Sequence, residues 1–233
     1  ISEFVPPGTW KYSNTNAMLL GMIAEHEGQR GLNELYKSKL WDPLGMVALL
    51  LPQDRAPANT ARTHDDDKEK WGVTGLTDLS EHYKYMYPDW YHAFGATSWA
   101  TAGIITTPEN VARWAYELLS DHGSAISQGD RAKLLDSFNG MMVSLGGIEQ
   151  QYGYHLTKRS ILLADGAITI YGHPGGGGGI TSDFYYSPKL DLSISILANS
   201  HSDARSKAEA EGKLVAATIN AIAQQIFDTY NMR

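Results

Sequence analysis

The 233 residues contain no cysteine, which removes disulfides, thiolate metal ligands and thiol nucleophiles and leaves the redox compartment open. Basic residues are outnumbered, 19 against 26 acidic, for a formal charge of -7. No stretch of Lys and Arg is dense enough to neutralise a run of phosphates, so nucleic acid is not expected as a partner. No apolar run approaches the roughly 20 residues that span a bilayer, and Ile1-Ser2-Glu3-Phe4-Val5-Pro6-Pro7 lacks the charged start and apolar middle of an export signal. The expectation is a soluble body without a membrane span. With 42% hydrophobic and 19% charged residues, the chain is able to bury a substantial core.

Periodicity predicts helices first and strands afterwards. Residues 9–12 read as an extended lead-in to a helix over 16–27, closed by Gly28. A second helix over 32–40 gathers Leu32, Leu35, Tyr36 and Leu40 on one face and stops at Trp41-Asp42-Pro43-Leu44-Gly45-Met46. Residues 51–98 keep no sustained period, which is too long for an idle loop and suggests a lid, a substrate wall or short elements without a clear pattern. Thr107-Pro108-Glu109 opens a helix to Leu119 with a cap, a proline at the first helical position and an acid in the first turn. Another helix is expected over 130–138. After Gly153 the period changes to two, predicting strands over 154–157, 161–164, 168–171, 180–186 and 192–197. A closing helix carries Val215, Ile219, Ile222, Ile226 and Tyr230 as its stripe. This is an α+β plan, divided into a helical region over 1–147 and a sheet region over 148–233 of one interleaved domain.

Two constellations carry chemistry. The first is Tyr12-Ser13-Asn14, preceded by Pro7-Gly8-Thr9-Trp10-Lys11 and followed, after the apolar helix, by Trp41-Asp42-Pro43-Leu44-Gly45-Met46. The second is Tyr171-Gly172-His173-Pro174-Gly175-Gly176, between two strands. A phosphate loop does not fit the second run, because Ile180 stands where Gly-x-Gly-x-x-Gly needs glycine and a strand follows rather than a helix. Bland readings remain beside the functional ones: Tyr12 as a packed aromatic with Ser13 as a helix cap, and the glycine run as a hairpin with an incidental histidine.

Together these runs resemble the family of class C β-lactamases, serine DD-peptidases and related esterases. Tyr12-Ser13-Asn14 is similar to its Tyr-x-Asn motif, and His173-Pro174-Gly175 to the third motif, written Lys-Thr-Gly or His-x-Gly. Ser98-Trp99-Ala100-Thr101-Ala102-Gly103, ahead of the Thr107 helix, is similar to the family's small-residue turn. The resemblance implies a β-lactamase/transpeptidase-like fold and a serine acyl hydrolase working through an acyl-enzyme. It assigns proton transfer to Tyr12 and the substrate's amide to Asn14. His173 takes the cation position, Gly175 and Gly176 border the substrate with Gly176 as oxyanion donor, and Trp99 is either a pocket wall or plain packing. It implies no metal and no cofactor, a small-molecule or peptide substrate, and a bacterial periplasmic or secreted setting. Pro174 departs from the pattern by lacking the hydroxyl that meets a substrate carboxylate, which favours a DD-peptidase, D-aminopeptidase or esterase over an efficient β-lactamase.

The family's nucleophile belongs to a Ser-x-x-Lys motif, and no serine in this chain has lysine three residues on. Ser13 is followed by Asn14-Thr15-Asn16, Ser38 by Lys39-Leu40-Trp41 and Ser80 by Glu81-His82-Tyr83. In the family that motif lies upstream of Tyr-x-Asn. Two expectations follow: a C-terminal portion of a longer enzyme, paired with the missing N-terminal segment or another copy, or a shortened homologue that binds cell-wall peptides or a partner without catalysis. The run His64-Asp65-Asp66-Asp67 is read as a solvated turn, since it lacks the spaced oxygens of a calcium loop. Tyr83, Tyr85, Tyr87, Trp90 and Tyr91 are read as a local cluster, with a substrate wall as the alternative.

Overall fold

The computed structural model describes residues 12–65, 77–78, 98–145, 148–163, 166–177, 179–201 and most of 217–229. Helix α1 runs Asn14–Gly28 and is followed by α2, Leu32–Tyr36, which widens into a π-helical turn, Lys37–Trp41. Gln29, not Gly28, takes the left-handed residue after α1, at φ 51°. Strand β1, Ala48–Leu50, and the two-residue strands β2, His64–Asp65, and β3, Thr77–Asp78, come next. After a helical turn over 98–102 come β4, Ile104–Thr106, α3, Pro108–Leu119, and α4, Gln128–Leu135. Helix α4 begins two residues before its expected start, because the Ser127 hydroxyl caps the Asp130 amide.

Six antiparallel strands form the main sheet in a simple meander: β5, Met142–Leu145; β6, Ile148–Tyr152; β7, Thr157–Leu163; β8, Gly166–Gly177; β9, Ile180–Ser187; and β10, Leu192–Ala198. The β5–β6 hairpin was not expected from the sequence, because Glu149, Gln150 and Gln151 interrupt any apolar alternation. The strand expected over 154–157 is instead a turn, with Gly153 N–H donating to the Leu156 carbonyl at 2.8 Å, and β7 starts only at Thr157. A short strand β11, Ser200–His201, pairs in parallel with β2, so part of the 51–98 insertion is tied to the end of the sheet. Gly179, at φ 80°, lies under this tie, where a Cβ would come within 2.7 Å of the His64 amide nitrogen.

Register sorts the sheet into two faces. Ile161 opposite Ile168, Ile170 opposite Arg159 and Tyr185 opposite Ile194 build a core on one face. On the other face Tyr171 and Tyr186 meet Leu119, Leu156 and Phe138, joining the sheet to α3 and α4. A third cluster, Leu32, Trp41, Leu44, Met46 and Leu50, holds α2 against β1 and the 98–102 turn. Asp191, in the β9–β10 turn at φ 45°, accepts from Tyr116, Ser120 and Tyr186 and clamps α3 to the sheet. Ile222 and Ile226 of the closing helix are half-buried; Val215, Ile219 and Tyr230 lie outside the described residues.

Candidate active site

Gly172 sets the geometry of the second constellation. It lies opposite Tyr185, and a Cβ there would overlap the Phe184 carbonyl oxygen, so only glycine lets β8 and β9 approach this closely. The alternation of the strand then sends Tyr171 and His173 to the helix-facing side. Strand β7 pairs with β8 only as far as Thr157 opposite Gly172, and the Thr157 hydroxyl donates to the Gly172 carbonyl at 2.8 Å. Among the described residues nothing pairs with His173–Gly177 on that side. In an antiparallel ladder alternate residues direct their backbone groups the same way, so 174 and 176 share the direction of 172, toward this open edge. Pro174 therefore loses no ladder bond, and the Gly176 amide faces the edge.

Tyr12 stands just before α1 and is 40% exposed. Its ring centroid lies 6.1 Å from that of His173 and 6.0 Å from that of Tyr152, the latter pair edge to face at 89°. Tyr152, the last residue of β6, is 7% exposed and has its hydroxyl 2.9 Å from His173 Nε2. His173 Nδ1 lies 2.6 Å from the Pro174 carbonyl oxygen. A cavity of about 180 Å³ opens between Tyr12, Ser13 and Asn16 on one side and Tyr152, Gly153, Tyr154 and His155 on the other.

Every shift in this cluster favours the neutral form. Burial lowers the His173 pKa, the bond to the Pro174 carbonyl raises it, and nearby His155 lowers it again, with the net displacement downward. That direction favours the neutral imidazole over the imidazolium at His173. Burial raises the Tyr12 phenol. Tyr152 is raised further, first by burial and then by Tyr12.

The structure brings Tyr12 and His173 together although they stand 161 positions apart in the sequence. Gly175 and Gly176 lie further along the same strand, paired with Ser182 and Thr181. Asn14 opens α1 and is exposed, with no described contact to the cluster. Ser13 occupies the N-cap position, yet its hydroxyl makes no capping bond. Trp99 is placed elsewhere: it packs over Gly21 beside the α2 cluster and donates from Nε1 to Gln53 at 3.0 Å. Sequence reasoning missed Tyr152 and His155; the available signal was the concentration of Tyr152, Tyr154 and His155 around Gly153 just ahead of a strand. Among the described residues no group of three or more His, Asp or Glu converges on a metal position. His64 and Asp65 belong to β2, with His64 Nδ1 3.1 Å from the Asn199 carbonyl, while Asp66, Asp67 and the aromatic cluster from Tyr83 to Tyr91 lie outside the described residues.

Residues 3–218 match the family model described as Beta-lactamase. None of the curated proteins compared matches the chain. Among solved structures, D-amino acid amidase from Ochrobactrum anthropi SV3 complexed with L-phenylalanine is similar at a TM-score of 0.74 and 20% identity, covering 95% of this chain and 60% of that one. Penicillin binding protein from Bacillus halodurans is similar at 0.66 and 18%, covering 94% and 58%. D-stereospecific amidohydrolase from Streptomyces sp. is similar at 0.65 and 19%, covering 86% and 53%. These likenesses are of fold, β-lactamase/transpeptidase-like, and the chain spans between half and three fifths of the length of each protein.

Proposed function

Because the chain belongs to the beta-lactamase family, we propose that it supplies the proton-transfer and substrate-edge half of a serine hydrolase site, working on an amide or ester through an acyl-enzyme. The observation that carries this reading is the meeting of Tyr12 with His173, ring centroids 6.1 Å apart, beside a stretch of β8 that β7 leaves unpaired. Tyr12, kept protonated by burial, would pass its proton to the leaving group and receive one from the nucleophile in concert with a lysine, because a free phenolate is disfavoured there. Asn14 would orient the substrate's amide. The acyl group would lie along β8, its developing oxyanion met by the Gly176 amide. Pro174 offers no hydroxyl to a substrate carboxylate, and two of the similar structures are named for D-amino acid amide or D-stereospecific hydrolysis. Both points favour a D-amino-acid amide or peptide, or an ester, over a penicillin. The serine would come from outside these residues, and the setting would be periplasmic or secreted.

The test is covalent labelling of the full-length protein with a fluorophosphonate or a fluorescent penicillin, read by mass spectrometry. A single adduct on a serine outside these residues is expected, with Tyr12→Phe and His173→Ala each slowing it by about 100-fold or more. Unchanged rates in both variants would overturn the site assignment. The second reading, a non-catalytic protein that binds cell-wall peptides, is favoured by the absence of Ser-x-x-Lys from the chain. It predicts no adduct together with saturable binding of a D-Ala-D-Ala peptide.

A further inference from the structure

We propose that Tyr152 is a positioning residue of this site, donating its phenolic proton to His173 Nε2 and thereby holding the imidazole in its Nδ1–H form with its Nε2 lone pair occupied. The inference rests on the reading of Tyr12 and His173 given above. A carbonyl oxygen only accepts, so the 2.6 Å contact between His173 Nδ1 and the Pro174 oxygen places the proton on Nδ1. A neutral ring with that proton has only a lone pair at Nε2, and the hydroxyl 2.9 Å away must then be the donor. The Pro174 carbonyl therefore selects the tautomer, and the Tyr152 hydroxyl, able to donate or accept, fits it as the donor to Nε2.

Tyr152 is well held for this task. It is 7% exposed, its backbone is in register with Thr157 at the start of β7, and the Gly153–Leu156 hydrogen bond closes the turn that follows it. It thus stands beside the first residue of β8 that β7 leaves unpaired. The titratable groups facing His173 among the described residues are Tyr12 from the start of α1, Tyr152 from β6 and His155 from the β6–β7 turn. None of them is an anion that would favour an imidazolium. With Nε2 taken by Tyr152, His173 is not the acceptor for Tyr12, whose hydroxyl is left to the occupant of the cavity. Tyr152 acts through His173 and through its edge contact with Tyr12 and does not itself touch the reacting atoms.

Nitrogen NMR of the imidazole side chains in the isotope-labelled protein tests this directly. The expected result is His173 as the Nδ1–H tautomer at neutral pH. In Tyr152→Phe its titration midpoint should move upward and the two tautomers should mix, because the donor that favours the neutral ring is gone. A wild-type ring carrying its proton on Nε2 would overturn the proposal without any variant, as would a Tyr152→Phe protein with the wild-type tautomer and midpoint. In the full-length protein Tyr152→Phe should slow labelling by on the order of tenfold and displace its pH profile while leaving half-saturation nearly unchanged. A rate and profile equal to wild type would also count against it. Failure of the parent reading would show instead as unaltered labelling in Tyr12→Phe and His173→Ala, with the His173 tautomer still as described.

Discussion

Single side chains decide whether β8 and β9 can lie together and how the sheet responds to pH. Gly172→Ala should be among the most damaging small changes in the chain, since its Cβ would overlap the Phe184 carbonyl and the backbone of two paired strands would have to part. A melting temperature within a degree or so of wild type would contradict that packing. Asp183, on the opposite sheet face from His173, is 4% exposed, and burial carries its pKa from 3.8 up to about 7 despite the opposing pull of Arg159. Between those values the folded chain binds more protons than the unfolded one, so this group lowers stability as pH rises from about 4 to about 7. Asp183→Asn should remove that slope, each displaced pKa unit being worth about 1.4 kcal/mol, and so gain on wild type as pH rises. Urea midpoints of the two proteins that stay in parallel between about pH 4.5 and about pH 7.5 would refute this.

At the scale of elements, ends were easier to foresee than middles. Helix α3 begins where Thr107-Pro108-Glu109 says it must, and the Thr107 side chain accepts from the Asn110 amide and side chain. Thr107→Ala should therefore cost about 1 kcal/mol, read as a lower urea midpoint with unchanged slope, while Thr107→Ser should cost little. Strands β8, β9 and β10 were visible because small or apolar residues alternate against a buried face. Strands β5 and β6 were not, since β5 pairs with β6, and β6 reaches β7 only through Gln151 and Tyr152, whose value depends on where His173 lies. The second helix was expected to run to residue 40 as one α-helix, but its last turn widens into a π-turn, with Asp42 N–H reaching the Lys37 carbonyl and Met46 N–H the Trp41 carbonyl. That adjustment tucks Trp41, 6% exposed, into the α2 cluster, and no local propensity announces it.

For the molecule as a whole, α1 is the anomaly: Leu19, Leu20, Met22 and Ile23 are each more than half exposed. A contiguous apolar helix face of this kind associates with something or lowers solubility. The chain alone should therefore self-associate, and Leu20→Glu with Ile23→Lys should shift it toward monomer in sedimentation velocity; a wild-type monomer at tens of micromolar would contradict this. The sequence alone determined the family, the placing of the main sheet after α1 to α4, the α3 cap and the two motifs around Tyr12 and His173, because motif residues and hydrophobic period are local properties of a chain. Only the tertiary structure decided that Tyr152 joins that pair, that Trp99 packs over α1, that burial lowers the His173 pKa and that β7 stops short of His173. Those outcomes depend on burial and on where β7 happens to begin, and neither is a property of any short stretch of residues.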